Sequence, residues 1–385
     1  MGISWYNKSN DRKGIYSMKK LGFGLMRLPL LDPQNNKSID IEQTKKMVDT
    51  FLERGFTYFD TAWMYCGFES ENAIREALVE RHPRDSYTLA DKLHSAFIKT
   101  REDRDLVFEE QRRKTGVEYF DYYLIHDVTR EHCEVYDALD CFTWVADKKA
   151  AGQIKHVGFS FHGDAIFLEE FLTAHEGLFE FVQLQINYLD WESDRVQSRL
   201  CYEVARKHNM PIIVMEPVKG GTLAKVPEAV ETMFRAYHED WSAPSWAVRF
   251  AAGLEGVMMV LSGMSNMEQL LDNTDYMADF KPLTETELKI VRTAADMIRE
   301  KIAIPCTGCS YCTGDCPMGI DIPTFFSLYN ADMRGEEGAR EEYAKRAVKY
   351  GNPSTCIGCG QCEDICPQHL PIISDLGKIR EHFGK

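Results

Sequence analysis

From about residue 16 to residue 280 the chain alternates short apolar runs with longer amphipathic segments. The apolar runs are LGFGLMRLPL (21–30), FTYFDTAW (56–63), SYTLADKL (86–93), YFDYYLIH (119–126), IKHVGFSF (154–161), FVQLQINYL (181–189), PIIVMEPV (211–218) and VMMVLSGM (257–264). Each is rich in β-branched and aromatic residues, which predicts eight strands. The segments 41–52, 71–79, 193–208 and 267–276 lie between them and carry apolar residues at helical spacing. Eight βα units in this length predict a closed (β/α)8 TIM barrel over residues 1–280. The pattern alone reads almost as well as a doubly wound open sheet.

Beyond 280 the pattern changes. Phe280-Lys281-Pro282-Leu283-Thr284 reads as a hinge, and Thr284 with Glu287 forms a capping-box signal for a helix running to about Lys301. Residues 323–350 are charged, amphipathic and rich in helix formers. A mainly helical second domain over 281–385 is therefore expected. It holds two cysteine runs of one design, Cys306-x-x-Cys309-x-x-Cys312-x-x-x-Cys316-Pro317 and Cys356-x-x-Cys359-x-x-Cys362-x-x-x-Cys366-Pro367. That spacing ligates cubane iron–sulfur clusters, and in two-cluster proteins the fourth cysteine crosses to the other cube. The expected sets are Cys306, Cys309, Cys312 and Cys366 for one [4Fe–4S] cluster, and Cys356, Cys359, Cys362 and Cys316 for the other. Zinc closes with paired ligands instead of a quartet plus proline, and disulfides need an oxidising compartment.

Composition narrows the function classes. Lys and Arg number 45 against 60 Asp and Glu, for a net charge of −15. No long basic run interrupts the balance, which argues against nucleic acid and anionic membrane as partners. No apolar stretch is long enough to span a bilayer. The start, MGISWYNKSNDRKG, lacks the apolar core of a signal peptide, and Tyr6 breaks the myristoylation pattern. Of 12 cysteines the four outside the runs (Cys66, Cys133, Cys141, Cys201) are scattered and read as reduced small hydrophobes. A cytoplasmic protein is expected.

A barrel carries its chemistry at the C-terminal ends of its strands, and the polar residues gather there. Asp60 ends the second predicted strand, with Tyr65 shortly after it, and Asp91-Lys92 end the third. His126-Asp127 end the fourth, and Ser160 with His162 the fifth. Residues 183–188, Glu216 and Ser262-Gly263 close the last three. Phe59-Asp60-Thr61-Ala62, then Tyr65, Lys92 and Leu124-Ile125-His126, resemble the aldo-keto reductase family, a (β/α)8 barrel that binds NAD(P)H without a Rossmann domain. The tail, with IPCTGCSYC and CIGCGQCEDICP, is similar to the subgroup fused to a 4Fe–4S dicluster domain.

The resemblance implies a catalytic tetrad of Asp60, Tyr65, Lys92 and His126 and the reversible reduction of an aldehyde or ketone to an alcohol. Tyr65, a weak acid with an ordinary pKa of about 10, is expected to donate a proton, eased by the Lys92 ammonium, which favours the phenolate. Asp60 would hold the lysine, and His126 would donate a hydrogen bond to the reacting oxygen. Trp63 is expected to line the substrate mouth.

For the cofactor the resemblance implies Ser160 and Gln183 at the nicotinamide carboxamide and Met215 against the ring. It implies the Ser262-Gly263-Met264 amides at the pyrophosphate, with Gln269 and Asn273 at the adenosine. Phe161 stands where the family has an asparagine. The basic pair that grips a 2′-phosphate in NADP-dependent members falls on Gly263 and Gln269, so NADH is favoured. Nicotinamide moves a hydride while a cubane passes single electrons. The clusters therefore relay electrons to a redox protein, brace the barrel, or feed a flavin or the substrate in the barrel. An electron carrier that uses the barrel only as a scaffold is the remaining reading, and the complete tetrad disfavours it.

Overall fold

Each of the eight apolar runs contains one strand: β1 Leu21–Gly24, β2 Tyr58–Asp60, β3 Thr88–His94, β4 Phe120–Val128, β5 Ile154–Phe161, β6 Phe181–Gln185, β7 Ile212–Met215 and β8 Val257–Gly263. This is a computed structural model, and it describes residues 18–33, 35–314, 316–349 and 351–384. Every neighbouring pair is parallel, and β1 pairs with β8, so the sheet closes into a barrel in chain order. Closure removes the doubly wound alternative. The N-terminal signal and Tyr6 expectations lie outside the described residues.

Most strands stop short of their runs, whereas β5 fills its run and β3 and β4 continue past theirs to His94 and Val128. Residues Leu25–Arg27 turn off as a 3-10 helix, and Glu216 after β7 is left-handed at φ 57°. Inside the cylinder Tyr58, Tyr122, Leu124, Phe181, Ile213, Met259 and Leu261 pack into one buried cluster. Two glycines make room for it. A Cβ on Gly158 would stand 2.4 Å from the Phe181 ring, and one on Gly22 would stand 2.7 Å from Leu261. Outside, Asp40 caps the helix Ile41–Glu53 through the Gln43 amide, and a Thr100–Asp103 capping box opens the helix Arg101–Thr115. The segment expected as one helix over 71–79 is two pieces, an α-helical turn Ser70–Ile74 and a wider π turn Arg75–Val79.

The chain forms two compact units. The first comprises the residues up to Ile186, Arg199–Pro217 and Val248–Pro282. The second comprises Asn187–Ser198, Val218–Ala247 and the chain from Leu283 onward. The segments that follow β6 and β7 thus group with the tail.

The second unit is helical: Glu285–Arg299, Ile322–Met333, Ala339–Lys349 and Ile372–Phe383 are its longer tail helices. The Thr284–Glu287 capping box is formed in both directions, and the helix stops at Arg299. Residues 323–349 lie in two helices, separated where Gly335 (φ 77°) adopts the left-handed conformation that ends the first. Ile304, Ile320, Ile322, Phe325, Phe326, Ile372, Leu376 and Ile379 form this unit's core, with Cys312 and Cys362 inside it. Among the described residues no helix is long and apolar enough to cross a membrane.

Candidate active site and cysteine cavities

At the mouth of the barrel Lys92 is fully buried, and its ammonium finds three oxygens. It donates to Asp60 Oδ1 at 2.6 Å, to the Thr61 carbonyl at 2.7 Å and to the Tyr65 hydroxyl at 3.4 Å. Strand register explains the meeting: Asp60 ends β2 opposite Ala90, two residues before Lys92 on the adjacent strand β3. Tyr65 arrives on a tight turn in which Cys66 (φ 50°), Gly67 (φ 60°) and Phe68 (φ 76°) are all left-handed. His126 stands edge-on to the Tyr65 ring, with centroids 6.3 Å apart. A register shift between Ile125 and Val128, with Asp127 left-handed at φ 54°, re-aims the end of β4 there. The structure therefore brings Asp60, Tyr65, Lys92 and His126 together.

Electrostatics correct one expectation. Burial pushes the Tyr65 phenol well above its ordinary value, and the nearby Asp60, Glu216 and Asp91 carboxylates push in the same direction. Desolvation is the largest of these causes, and it opposes the phenolate that the Lys92 ammonium favours. Burial also raises the Asp60 carboxyl, and Lys92 pulls it back. His126 is pushed well below the ordinary imidazole value by burial, then by His94 and Lys92, so it is neutral at neutral pH. Its Nδ1 is buried and has no hydrogen-bond partner among the described residues.

Behind Lys92 lies a second buried network. Gln111 donates to Asp91 Oδ1 and to the Lys92 carbonyl, both at 2.9 Å, and accepts from Tyr123 at 2.6 Å. Glu71 pairs with Lys114, whose ammonium sits 4.8 Å over the Trp63 ring. Trp63 in turn meets Phe68 and Phe97 edge to face or tilted, so an aromatic wall flanks Tyr65.

The expected cofactor residues are placed less uniformly. Ser160 and Gln183 are cross-strand neighbours on β5 and β6. Ser160 Oγ accepts the Asp127 amide at 2.7 Å, and Gln183 Oε1 is buried with no partner among the described residues. Met215 ends β7, partly exposed. Asn273 turns inward, donating to Ser262 Oγ at 2.6 Å and accepting from Tyr276 at 2.6 Å. Gln269 accepts the Ser265 amide at 2.8 Å. Gly263 lies against the aliphatic stem of Arg27, and Met264 is buried.

The sequence reading passed over His94, His132 and Arg27. His94 was detectable, since strand alternation puts it on the same face as Lys92. Arg27 follows β1, which a closed barrel sets beside β8. His94 Nε2 and His132 Nδ1 approach Asp127 Oδ2 at 3.6 and 3.5 Å, and these three ligand atoms lie within 4.8 Å of one another. That spacing suits a metal, but the tautomers do not. His94 Nδ1 accepts the Ala96 amide at 3.0 Å, which puts the ring proton on Nε2. His132 Nδ1 meets the Asp127 carbonyl at 2.7 Å and must be the donor. Both nitrogens thus present N–H groups, not lone pairs. They favour a carboxylate: burial alone would raise Asp127, but His162, His94 and His132 together hold it well below the usual range.

In the second unit the cysteines line two cavities. One is bounded by Cys306, Cys309, Cys312 and Cys366. The other is bounded by Cys316, Cys356, Cys359 and Cys362. Each draws three sulfurs from one run and the fourth from the other. Among the described residues the only trio of ligand atoms within 4.8 Å is the histidine set above. Burial pushes the Cys312 thiol up, and Cys309, Cys306 and Cys366 push it further, while burial and Glu363 raise Cys362 to about 11. Thiols crowded in this way become thiolates when a cationic centre binds them.

Comparison with known proteins agrees with both halves. Residues 305–370 match a 4Fe-4S dicluster domain, which supports iron–sulfur clusters in the tail. Among solved structures, a thermostable aldo-keto reductase in complex with the inhibitor epalrestat is 20% identical with TM-score 0.57, covering 71% of this chain and 94% of that one. The holo form of an aldo-keto reductase from Bacillus halodurans is 21% identical with TM-score 0.57, covering 71% and 91%. An aldo-keto reductase from Klebsiella pneumoniae in complex with NADPH is 17% identical with TM-score 0.54, covering 72% and 90%. At these identities the likeness is one of fold. The family itself is fixed by the match of residues 20–296 to the aldo/keto reductase family, to which this chain belongs.

Proposed function

We propose that the chain reversibly reduces a small aldehyde or ketone to the alcohol with a reduced nicotinamide, NADH ahead of NADPH. The observation that carries this reading is the buried Lys92 ammonium joining Asp60 to the Tyr65 hydroxyl beside His126. Tyr65, kept protonated by its surroundings, transfers its phenolic proton to the carbonyl oxygen, and Lys92 stabilises the phenolate left behind. Neutral His126 donates a hydrogen bond to that oxygen as charge develops on it. In the reverse direction Tyr65 takes the alcohol proton.

Ser160 and Gln183 would hold the carboxamide of the nicotinamide, and the buried, unpartnered Gln183 Oε1 supports this fit. When bound, the reduced nicotinamide supplies the hydride to the carbonyl carbon. Ser262, Gly263 and Met264 would receive its pyrophosphate. Gln269 and Asn273 would flank the adenosine end, and Met215 the ring. The preference for NADH rests on Gly263 and Gln269 standing where a 2′-phosphate would need cations. Trp63, in the aromatic wall beside Tyr65, would contact the substrate.

The eight cysteines of the two cavities would hold two [4Fe–4S] clusters, which pass single electrons to or from a redox protein or brace the barrel. The absence of that basic pair, with Met215 in place of an aromatic ring, keeps a second reading open. In it, ferredoxin-fed clusters reduce a flavin or the substrate in the barrel. An anaerobic titration with NADH and NADPH separates the two. The first reading expects nicotinamide oxidation that depends on an added aldehyde, without bleaching of the iron–sulfur absorbance. Bleaching by nicotinamide, with a yellow cofactor released on denaturation, would favour the second.

A further inference from the structure

The segment after β7 carries a buried ion pair that the carbonyl chemistry does not use. Lys219 is 1% exposed and left-handed at φ 47°. Its ammonium donates to both Asp190 carboxylate oxygens at 2.7 Å, and to Gln368 Oε1 at 3.2 Å. Gln368 lines the cavity bounded by Cys306, Cys309, Cys312 and Cys366, and so does Thr307. The next residue, Gly220, touches Thr307 itself: a Cβ there would stand 2.0 Å from the Thr307 carbonyl oxygen. Lys219 and Gly220 therefore contact two of the three chain segments that enclose one cavity. None of the residues lining the other cavity belongs to this segment.

Burying an ammonium and a carboxylate is costly, and apolar side chains of the same size would fill the space at no such penalty. The ammonium is nevertheless shared between that carboxylate and Gln368, a residue of the wall around one group of four thiols. Adding an electron to a thiolate-bound cluster makes it more negative, and net charge and hydrogen bonding around the sulfurs set its potential.

We propose that Lys219 is a positioning residue for a single cluster, the one held by Cys306, Cys309, Cys312 and Cys366. Acting through Gln368, it raises that cluster's one-electron potential above that of the cluster held by Cys316, Cys356, Cys359 and Cys362. The inference rests on the cluster reading above and adds an inequality between the two centres. The more easily reduced one is the one attached to the segments following β6 and β7.

The test is a redox titration of the anaerobically purified full chain against dithionite, followed by electron paramagnetic resonance, for wild type, Lys219→Met and Gln368→Leu. Lys219→Met should make one cluster about tenfold harder to reduce, ~59 mV for a one-electron couple, and leave the other in place. Gln368→Leu, which keeps the Lys219–Asp190 pair, should shift the same signal by less. Adding Cys359→Ser to Lys219→Met should remove the unshifted signal and retain the shifted one. Loss of one cluster alone in Lys219→Met, with iron falling from about eight to about four per chain, also supports the assignment. Two unshifted potentials in both variants, or equal shifts of both clusters, would overturn it. A colourless preparation without iron and sulfide would instead overturn the cluster reading beneath it.

Discussion

Lys92 reaches Asp60 and Tyr65 across 32 and 27 residues of sequence, carried there by strands whose register is fixed by backbone hydrogen bonds. Cys306, Cys309 and Cys312 reach one cavity from a single short run, with Cys366 arriving from the second. The barrel mouth is thus held by a scaffold that exists without its ligands. The cysteine cavities are held by turns and short helices, and Cys312 and Cys362 sit inside the hydrophobic core of their own unit. A site carried by register is pre-organised, whereas a site inside a small core acquires much of its stability from what it binds. Removing iron from the reduced protein with a chelator should therefore have the largest effect. The helices Ile322–Met333, Ala339–Lys349 and Ile372–Phe383 should become readily cleaved in limited proteolysis, while the strands stay protected. Equal protection of both regions after iron removal would erase the contrast.

The opposite perturbation leaves the tail alone. Tyr65→Phe removes one oxygen from the barrel mouth and keeps the ring. Carbonyl reduction should fall by about 10²–10⁴, the usual contribution of a positioned proton donor. The visible absorbance of the iron–sulfur clusters should match that of wild type. Wild-type turnover in this variant would take the phenol out of the mechanism.

The same contrast explains what could be read from sequence. Both cysteine runs were legible outright, because the chemistry lies in local spacing. The eight strands were legible from their apolar runs, but closure was not, since the β1–β8 pairing joins residues more than two hundred positions apart. Strand ends were overestimated where backbone conformation intervenes, as at Glu216 after β7. The break between the two helices of residues 323–350 was signalled by Gly335 and Gly338. The gathering of His94 and His132 around Asp127 went unnoticed because a left-handed backbone turn, not a sequence motif, brings them together. Lys219 was invisible for a similar reason, as its partners lie 29 and 149 residues away. The proton affinity of Tyr65 was misjudged because the count of carboxylates around a buried phenol is a property of the packed site.

The smallest effect sharpens the barrel side of the comparison. His126 is buried and held neutral, with its folded-state pKa below the ordinary value of 6.5. A base whose pKa falls on folding contributes stability that is fully present above the unfolded value and is lost progressively as pH drops below it. The loss should start near pH 6.5 and reach at most about 1.4 kcal/mol per pH unit from this residue. Chemical denaturation of wild type and His126→Asn between about pH 7.5 and about pH 5.5 measures it, and the variant should show a shallower decline. Over the same range carbonyl reduction by wild type should stay level, because His126 remains neutral and Tyr65 remains protonated. A rate that rises or falls tenfold there would mean that one of these two groups titrates, and the mouth would then be far more open to water than its geometry implies.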